Sequence, residues 1–180
     1  MPDRALLTAA LDSYRQHGCT DATHPVIAVV DFALPSGTPR MWLIDLRDAS
    51  GINAPIYVAH GSGSVDAART ELAVRFGNIE GSNMSSLGAY TVAETYRGKH
   101  GRSMKVDGLD ATDDRARPRL VAIHTSAKVK DDYVSPAKLA KDGKLGLSEG
   151  CFVVMASDYP MVEARLANGG FLYAGLSASR

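Results

Sequence analysis

Long apolar runs are missing from this 180-residue chain, so no stretch reads as a membrane-inserting helix. An excess of charge of either sign is missing too. Twenty basic and 20 acidic residues cancel, which excludes the basic footprint of a nucleic-acid binder. Cysteine is scarce, with two residues, Cys19 and Cys151. One disulfide is arithmetically open, but an isolated pair is no framework, and two free thiols is an equally simple reading. Repeats and low-complexity tracts are absent. The start, Met1-Pro2-Asp3-Arg4, does not have the form of a secretory signal. A cytosolic protein, a trimmed leader and another export route all stay open. What the chain does have is 45% hydrophobic residues, enough for the core of one domain.

Residues 4–16 read as an amphipathic helix with Leu7, Leu11 and Tyr14 on one face, stopped by Gly18. Residues 1–24 are therefore expected to form an N-terminal helix and linker, and 25–180 the main domain. From Pro25 the pattern changes to strands: 26–34, 41–46 and 56–61, separated by turn residues at Pro35-Ser36-Gly37 and Asp48-Ala49-Ser50-Gly51. This predicts a β-meander. Residues 62–85 read as a long Gly/Ser-rich connection with a helical patch near 67–74. Strands are expected at 86–96, 104–108 and 120–124, with Gly98-Lys99-His100-Gly101 as a turn and 110–118 as a charged loop. A charged insertion, 126–147, carries a short helix from Pro136. Its position between His124 and Cys151 suggests a lid, with Gly143 and Gly146 as hinges. Ser157 or Asp158 caps a last helix holding Pro160, and 171–173 forms the final strand. The fold class expected is mainly β with a few short helices.

The chemistry-bearing stretch is Gly146-Leu147-Ser148-Glu149-Gly150-Cys151, read with Ala122-Ile123-His124 upstream. A cysteine attacks as its thiolate, and a histidine can take its proton. Gly150 frees the backbone beside the thiol, and such a turn can aim N–H groups at a developing oxyanion. Ser148 can hold the turn or the imidazole. His60 and His100 each occupy a strand-end or turn position, where either a solvated histidine or a ligand-facing one is found. His17, Cys19 and His24 do not make up a four-ligand zinc set.

Taken together, these pieces make the chain resemble the murein L,D-transpeptidase catalytic domain family, in its YkuD-like branch with long loops. The resemblance rests on Val30-Asp31-Phe32, Arg40-Met41-Trp42-Leu43, Val58-Ala59-His60-Gly61 and Ser86-Leu87-Gly88-Ala89-Tyr90. It continues through Glu94-Thr95-Tyr96-Arg97-Gly98-Lys99-His100-Gly101, Val106-Asp107-Gly108, Ala122-Ile123-His124 and Ser148-Glu149-Gly150-Cys151. The Ser-x-Gly-Cys turn with an upstream His is the most specific part.

The resemblance implies a sandwich-like β fold and a cysteine enzyme acting on peptidoglycan stem peptides, without cofactor or metal. Cys151 would attack the L-centre carbonyl of the stem's diamino acid, expelling D-Ala and forming a thioester that an amine from a neighbouring stem resolves. His124 would be the base. Ser148 and Gly150 would shape the turn, with the Gly150 and Cys151 N–H groups as oxyanion donors. His60, Tyr96 and His100 would line the substrate groove, and the protein would face the periplasm or cell wall. Two departures stand out. Glu149 replaces the family's usual His or bulky aromatic, and Phe152-Val153-Val154 replaces a polar or proline-containing continuation. Water as acceptor would make the enzyme an L,D-carboxypeptidase. Other readings are a non-catalytic wall-binding module, a cysteine hydrolase with another substrate, and a zinc peptidase using His100 and Asp107.

Overall fold

A computed structural model of the chain describes residues 1–18, 24–48, 54–127 and 131–178. Cys19 and most of the turn expected at 48–51 lie outside the described residues.

Helix α1 spans Arg4–Gln16. Asp3 starts it, its carboxylate accepting from the N–H groups of Ala5 and Leu6 at 3.0 and 3.1 Å. Its apolar stripe buries Leu6 and Ala10 against Ile27, Val29, Trp42 and Phe171. Tyr14 meets Phe171 edge-on at 5.3 Å. The helix thus covers one face of the sheet rather than hanging off it.

The strands are β1 (Val26–Asp31), β2 (Met41–Asp45), β3 (Val58–Ala59), β4 (Gly88–Gly98), β5 (Gly101–Gly108), β6 (Ala122–Thr125), β7 (Phe152–Val154) and β8 (Gly170–Gly175). They form one mixed eight-stranded sheet in the order β2-β1-β8-β4-β5-β6-β7-β3. All six residues of β1 are buried, because alternate side chains enter different cores. Val26, Ala28 and Val30 face the main core, whereas Ile27 and Val29 face α1. Every strand places at least one residue in that main core. The fold is thus mainly β with a few short helices, as expected. Ile56 bridges to Met41 of β2 just before the chain enters β3 at the far end.

The hairpin β1–β2 forms as expected, but the meander does not continue. After the single bridge at Ile56, the buried guanidinium of Arg40 takes the Val58 carbonyl, and β3 pairs with β7 instead. The last strand, β8, is central, parallel to β1 and antiparallel to β4. No helix forms at 67–74. There the N–H groups of Val74 and Arg75 both turn to the Ser64 carbonyl, at 2.7 and 3.1 Å, and Asp66 bridges Arg69. The regular structure in that connection is one short 3₁₀ turn, Ser62–Ser64.

Helix α2 (Pro136–Asp142) is capped by the Ser135 hydroxyl and closed by left-handed Gly143. Helix α3 (Tyr159–Leu166) buries Tyr159, Val162 and Leu166 in the main core. Asp158 occupies its N-cap position without a side-chain cap bond.

Candidate active site

Strands β6 and β7 are parallel neighbours, with Ile123 opposite Phe152 and His124 opposite Val153. Ile123 and Phe152 point into the main core. By alternation, His124, Val153 and Cys151 belong to the opposite face. Cys151 indeed packs with Val153, Ala59 and Met155 there. His124 therefore lies one strand over and two residues along from Cys151. Both residues line one cavity of about 680 Å³, with Tyr96, His100, Ser148 and Glu149 also in its wall.

The turn before the thiol is pinned from behind. Ser148 N–H donates to the His60 carbonyl at 2.9 Å, and Ser62 N–H donates to the Ser148 carbonyl at 2.7 Å. The Ser148 hydroxyl donates to the Cys151 carbonyl at 2.8 Å and accepts from Gly150 N–H at 3.2 Å. That last bond corrects one expectation: the Gly150 N–H is engaged inside the turn, so it is not free to meet an oxyanion. Gly150 has φ +104, and a Cβ there would lie 2.7 Å from the Met84 carbonyl oxygen. Only glycine fits this position without strain.

The imidazole of His124 is 2% exposed, and its Nδ1 meets the Thr125 carbonyl at 2.8 Å. A carbonyl can only accept, so Nδ1 carries the hydrogen and Nε2 keeps its lone pair. His100 stacks on this ring at 4.0 Å between centroids and 16° between planes. Burial first, then the charges of His100 and Lys99, bring His124 down to about 4, against the pull of its Thr125 bond. Burial likewise lowers His100. The Cys151 thiol is pushed up, chiefly by burial and then by Glu149, while an Ala122 backbone bond, Lys99 and Arg119 work the other way. The resting pair is thus neutral thiol and neutral imidazole, not thiolate and imidazolium. The thiol donates a long 3.8 Å bond to the Leu120 carbonyl.

Six of the seven site residues read from the sequence gather here: Cys151, His124, Ser148, Gly150, Tyr96 and His100. His60 does not line the cavity. It is wholly buried, with Nδ1 2.7 Å from Arg40 Nη2 and Nε2 3.2 Å from the Thr70 carbonyl. Burial and the Arg40 charge bring it down to about 3, so it is a neutral anchor behind the turn and not a groove residue. Asp107 is also engaged elsewhere, paired with Arg117 on β5, so His100 and Asp107 do not converge. Among the described residues no group of three or more His, Cys, Asp or Glu could hold a metal. His17 instead meets Asp110 at 2.9 Å.

The described residues of the segment between His124 and Cys151 form a wall. Val134 and Leu145 are buried against Ala59 and Val153, and Lys144 Nζ donates to Thr70 Oγ1 at 2.7 Å. Gly143 closes α2, and Gly146 lies where a Cβ would meet Tyr133 at 2.6 Å. Both glycines thus serve a cap and a close approach.

Sequence reasoning missed Leu120, Arg119, Lys99 and Tyr133, which also line the cavity. Leu120 is expected to open a strand. It is instead 77% exposed with φ +58, and strand β6 starts two residues later. No sequence signal marks a leucine for the left-handed region, and Arg119 is one arginine among three in a charged loop.

A family model for the L,D-transpeptidase catalytic domain matches residues 2–174. No curated protein matches the chain. Among solved structures, an L,D-transpeptidase from Mycobacterium smegmatis is similar at 10% identity and a TM-score of 0.45, over 84% of this chain and 58% of that one. The chain thus spans little more than half the length of that protein. With nearly its whole length matched by the family model, this chain belongs to the L,D-transpeptidase catalytic domain family.

Proposed function

We infer that the chain is a cysteine-dependent L,D-transpeptidase acting on peptidoglycan stem peptides, with Cys151 as nucleophile and His124 as base. The observation that carries this reading is the shared cavity: a thiol at the end of a rigid turn and a neutral imidazole with a fixed tautomer both line it, on one sheet face.

The steps follow from that geometry. Sγ attacks the carbonyl of the stem's diamino acid at its L-centre as His124 Nε2 takes the thiol proton. Because the resting pair is neutral, proton transfer accompanies attack. With the Gly150 N–H occupied, the Cys151 N–H is the donor of this turn left to meet the developing oxyanion. The imidazolium, steadied by the Thr125 carbonyl, hands its proton to the departing D-Ala amine, leaving a thioester. An amine from a second stem then attacks. His124 takes its proton and returns it to sulfur as the new amide forms. Tyr96 and His100 flank the substrate in the cavity. A substrate in the peptidoglycan places the protein on the periplasmic or wall-facing side. Among the described residues no helix is long and apolar enough to cross a membrane.

Incubation with purified disaccharide tetrapeptides tests the reading. Cross-linked dimers with released D-Ala are expected, and both products disappear in Cys151→Ala. D-Ala release without dimers would make the chain an L,D-carboxypeptidase with water as acceptor. Binding without any product would make it a wall-binding module.

A further inference from the structure

Among the charged groups in the cavity that the mechanism above leaves unused, Arg119 stands out by how it is held. Arg119 lines the same cavity as Cys151, and its guanidinium is held by uncharged oxygens only. Nη1 donates to the Gly77 carbonyl at 3.1 Å and to the Ser86 hydroxyl at 3.3 Å, and Nη2 donates to the Met84 carbonyl. Among the described residues no carboxylate forms an ion pair with it. Arg117, two residues away, shows the contrast: Glu94 and Asp107 both bind it. A guanidinium carries five N–H donors. Three serve as anchors here, which leaves two and a full positive charge beside an open cavity. Planar, pre-set donors of this kind match a carboxylate.

The location supplies the second half. Arg119 Nη2 lies 3.1 Å from where a Cβ on Gly150 would be, and Cys151 is the next residue. The cation therefore packs against the residue just before Cys151 and lines the same cavity as the thiol. In a stem tetrapeptide the terminal carboxylate stands one residue beyond the carbonyl that the thiol attacks. We propose that Arg119 forms a carboxylate subsite that reads the C-terminus of the donor stem, an assignment resting on the stem-peptide reading above. A pentapeptide would carry its carboxylate one residue too far, so the same contact selects donor length. Lys99 is the other cation on the cavity wall, at the tip of the β4–β5 hairpin, and Glu149 and Asp131 are the anions facing both.

The test uses the Cys151→Ala protein, so that binding is read without turnover. Calorimetry compares a synthetic stem tetrapeptide ending in a free carboxylate with the same peptide ending in a carboxamide. The acid is expected to bind on the order of 10- to 100-fold more tightly, as a charge-assisted pair implies. Adding Arg119→Gln is expected to erase that ratio and to leave the amide's Kd within about 3-fold. Arg119→Lys should keep part of the ratio. The acid-to-amide comparison with Arg119 intact needs no loop-weakening variant. Equal binding of acid and amide there would overturn the assignment. A ratio that survives Arg119→Gln but vanishes in Lys99→Met would overturn it as well. Turnover of acid and amide by the unsubstituted protein with equal kcat/KM would remove the subsite and leave the transpeptidase standing. Acid-selective binding without turnover would keep the subsite and remove the catalysis.

Discussion

Gly150→Ala is the substitution that most sharply probes how Cys151 is held. The residue sits at φ +104, where a Cβ is strained whatever space surrounds it. Backbone strain of this kind costs about 1–3 kcal/mol. The added methyl would also lie 2.7 Å from the Met84 carbonyl oxygen and 3.1 Å from Arg119 Nη2. A carbonyl is not a flexible side-chain end, so the turn itself must give way. Relief means moving Gly150 off the Ser148 hydroxyl and swinging Cys151 from its place beside β6. Equilibrium urea unfolding should show a loss of about 2–4 kcal/mol, counting the strain and one displaced buried hydrogen bond. Acylation by stem tetrapeptide should fall at least 100-fold in protein still folded at zero urea. Unchanged stability together with unchanged acylation would show that the turn is not built as described.

Other outcomes follow from the same structure. His124 is held down to about 4, so acylation should stay level from pH 8 to about pH 5 and fall as pH drops through about 4. Because the thiol is pushed up, iodoacetamide labelling of Cys151 should be slow at pH 6 and still rising above pH 9. Fast labelling at pH 6 would indicate an ion pair instead. Asp113 is wholly buried, and burial, with Asp110 and Asp114 adding to it, raises its carboxyl to about 7. Its neutral form is favoured in the folded state, so its contribution is full below about pH 4 and is lost as pH rises through about 7. Asp113→Asn should therefore match the parent in urea unfolding at pH 4 and exceed it at pH 8. The upper bound is about 4 kcal/mol, at about 1.4 kcal/mol per pKa unit. Arg40→Met leaves the Leu34 and Val58 carbonyls and the His60 imidazole without their shared donor. A loss of about 3–5 kcal/mol is expected in the same assay, with the acid-to-amide binding ratio unchanged.

Much of this site could be read from residue order because its parts are local. The Ser-x-Gly-Cys turn carries its own hydrogen bonds, Ser148 to Cys151 and Gly150 to Ser148, and so is written in four consecutive residues. The helix at 4–16, the β1–β2 and β4–β5 hairpins and α2 behave likewise, each fixed by a cap, a turn or a nearby partner. The misses are the non-local choices. β3 leaves β2 for β7 because a buried arginine side chain claims its carbonyl, which no periodicity encodes. His60 looked like a strand-end ligand, but the same arginine draws it inward. The residues 67–74 have helical spacing, yet Ala68 and Arg69 turn back to Asp66 and Val74 to the Ser64 carbonyl. Leu120 and Arg119 belong to the site because β6 begins at Ala122 and leaves them in the loop before it.

The central claim is that sulfur 151 becomes covalently bonded to a stem peptide. Intact-mass spectrometry with peptide mapping, after brief mixing with tetrapeptide and no acceptor, reads this directly. The account predicts an adduct equal to the donor minus D-Ala, carried by the fragment containing Cys151, absent in Cys151→Ala and slowed in His124→Ala. D-Ala release that persists in Cys151→Ala, or an adduct on any other residue, would contradict it.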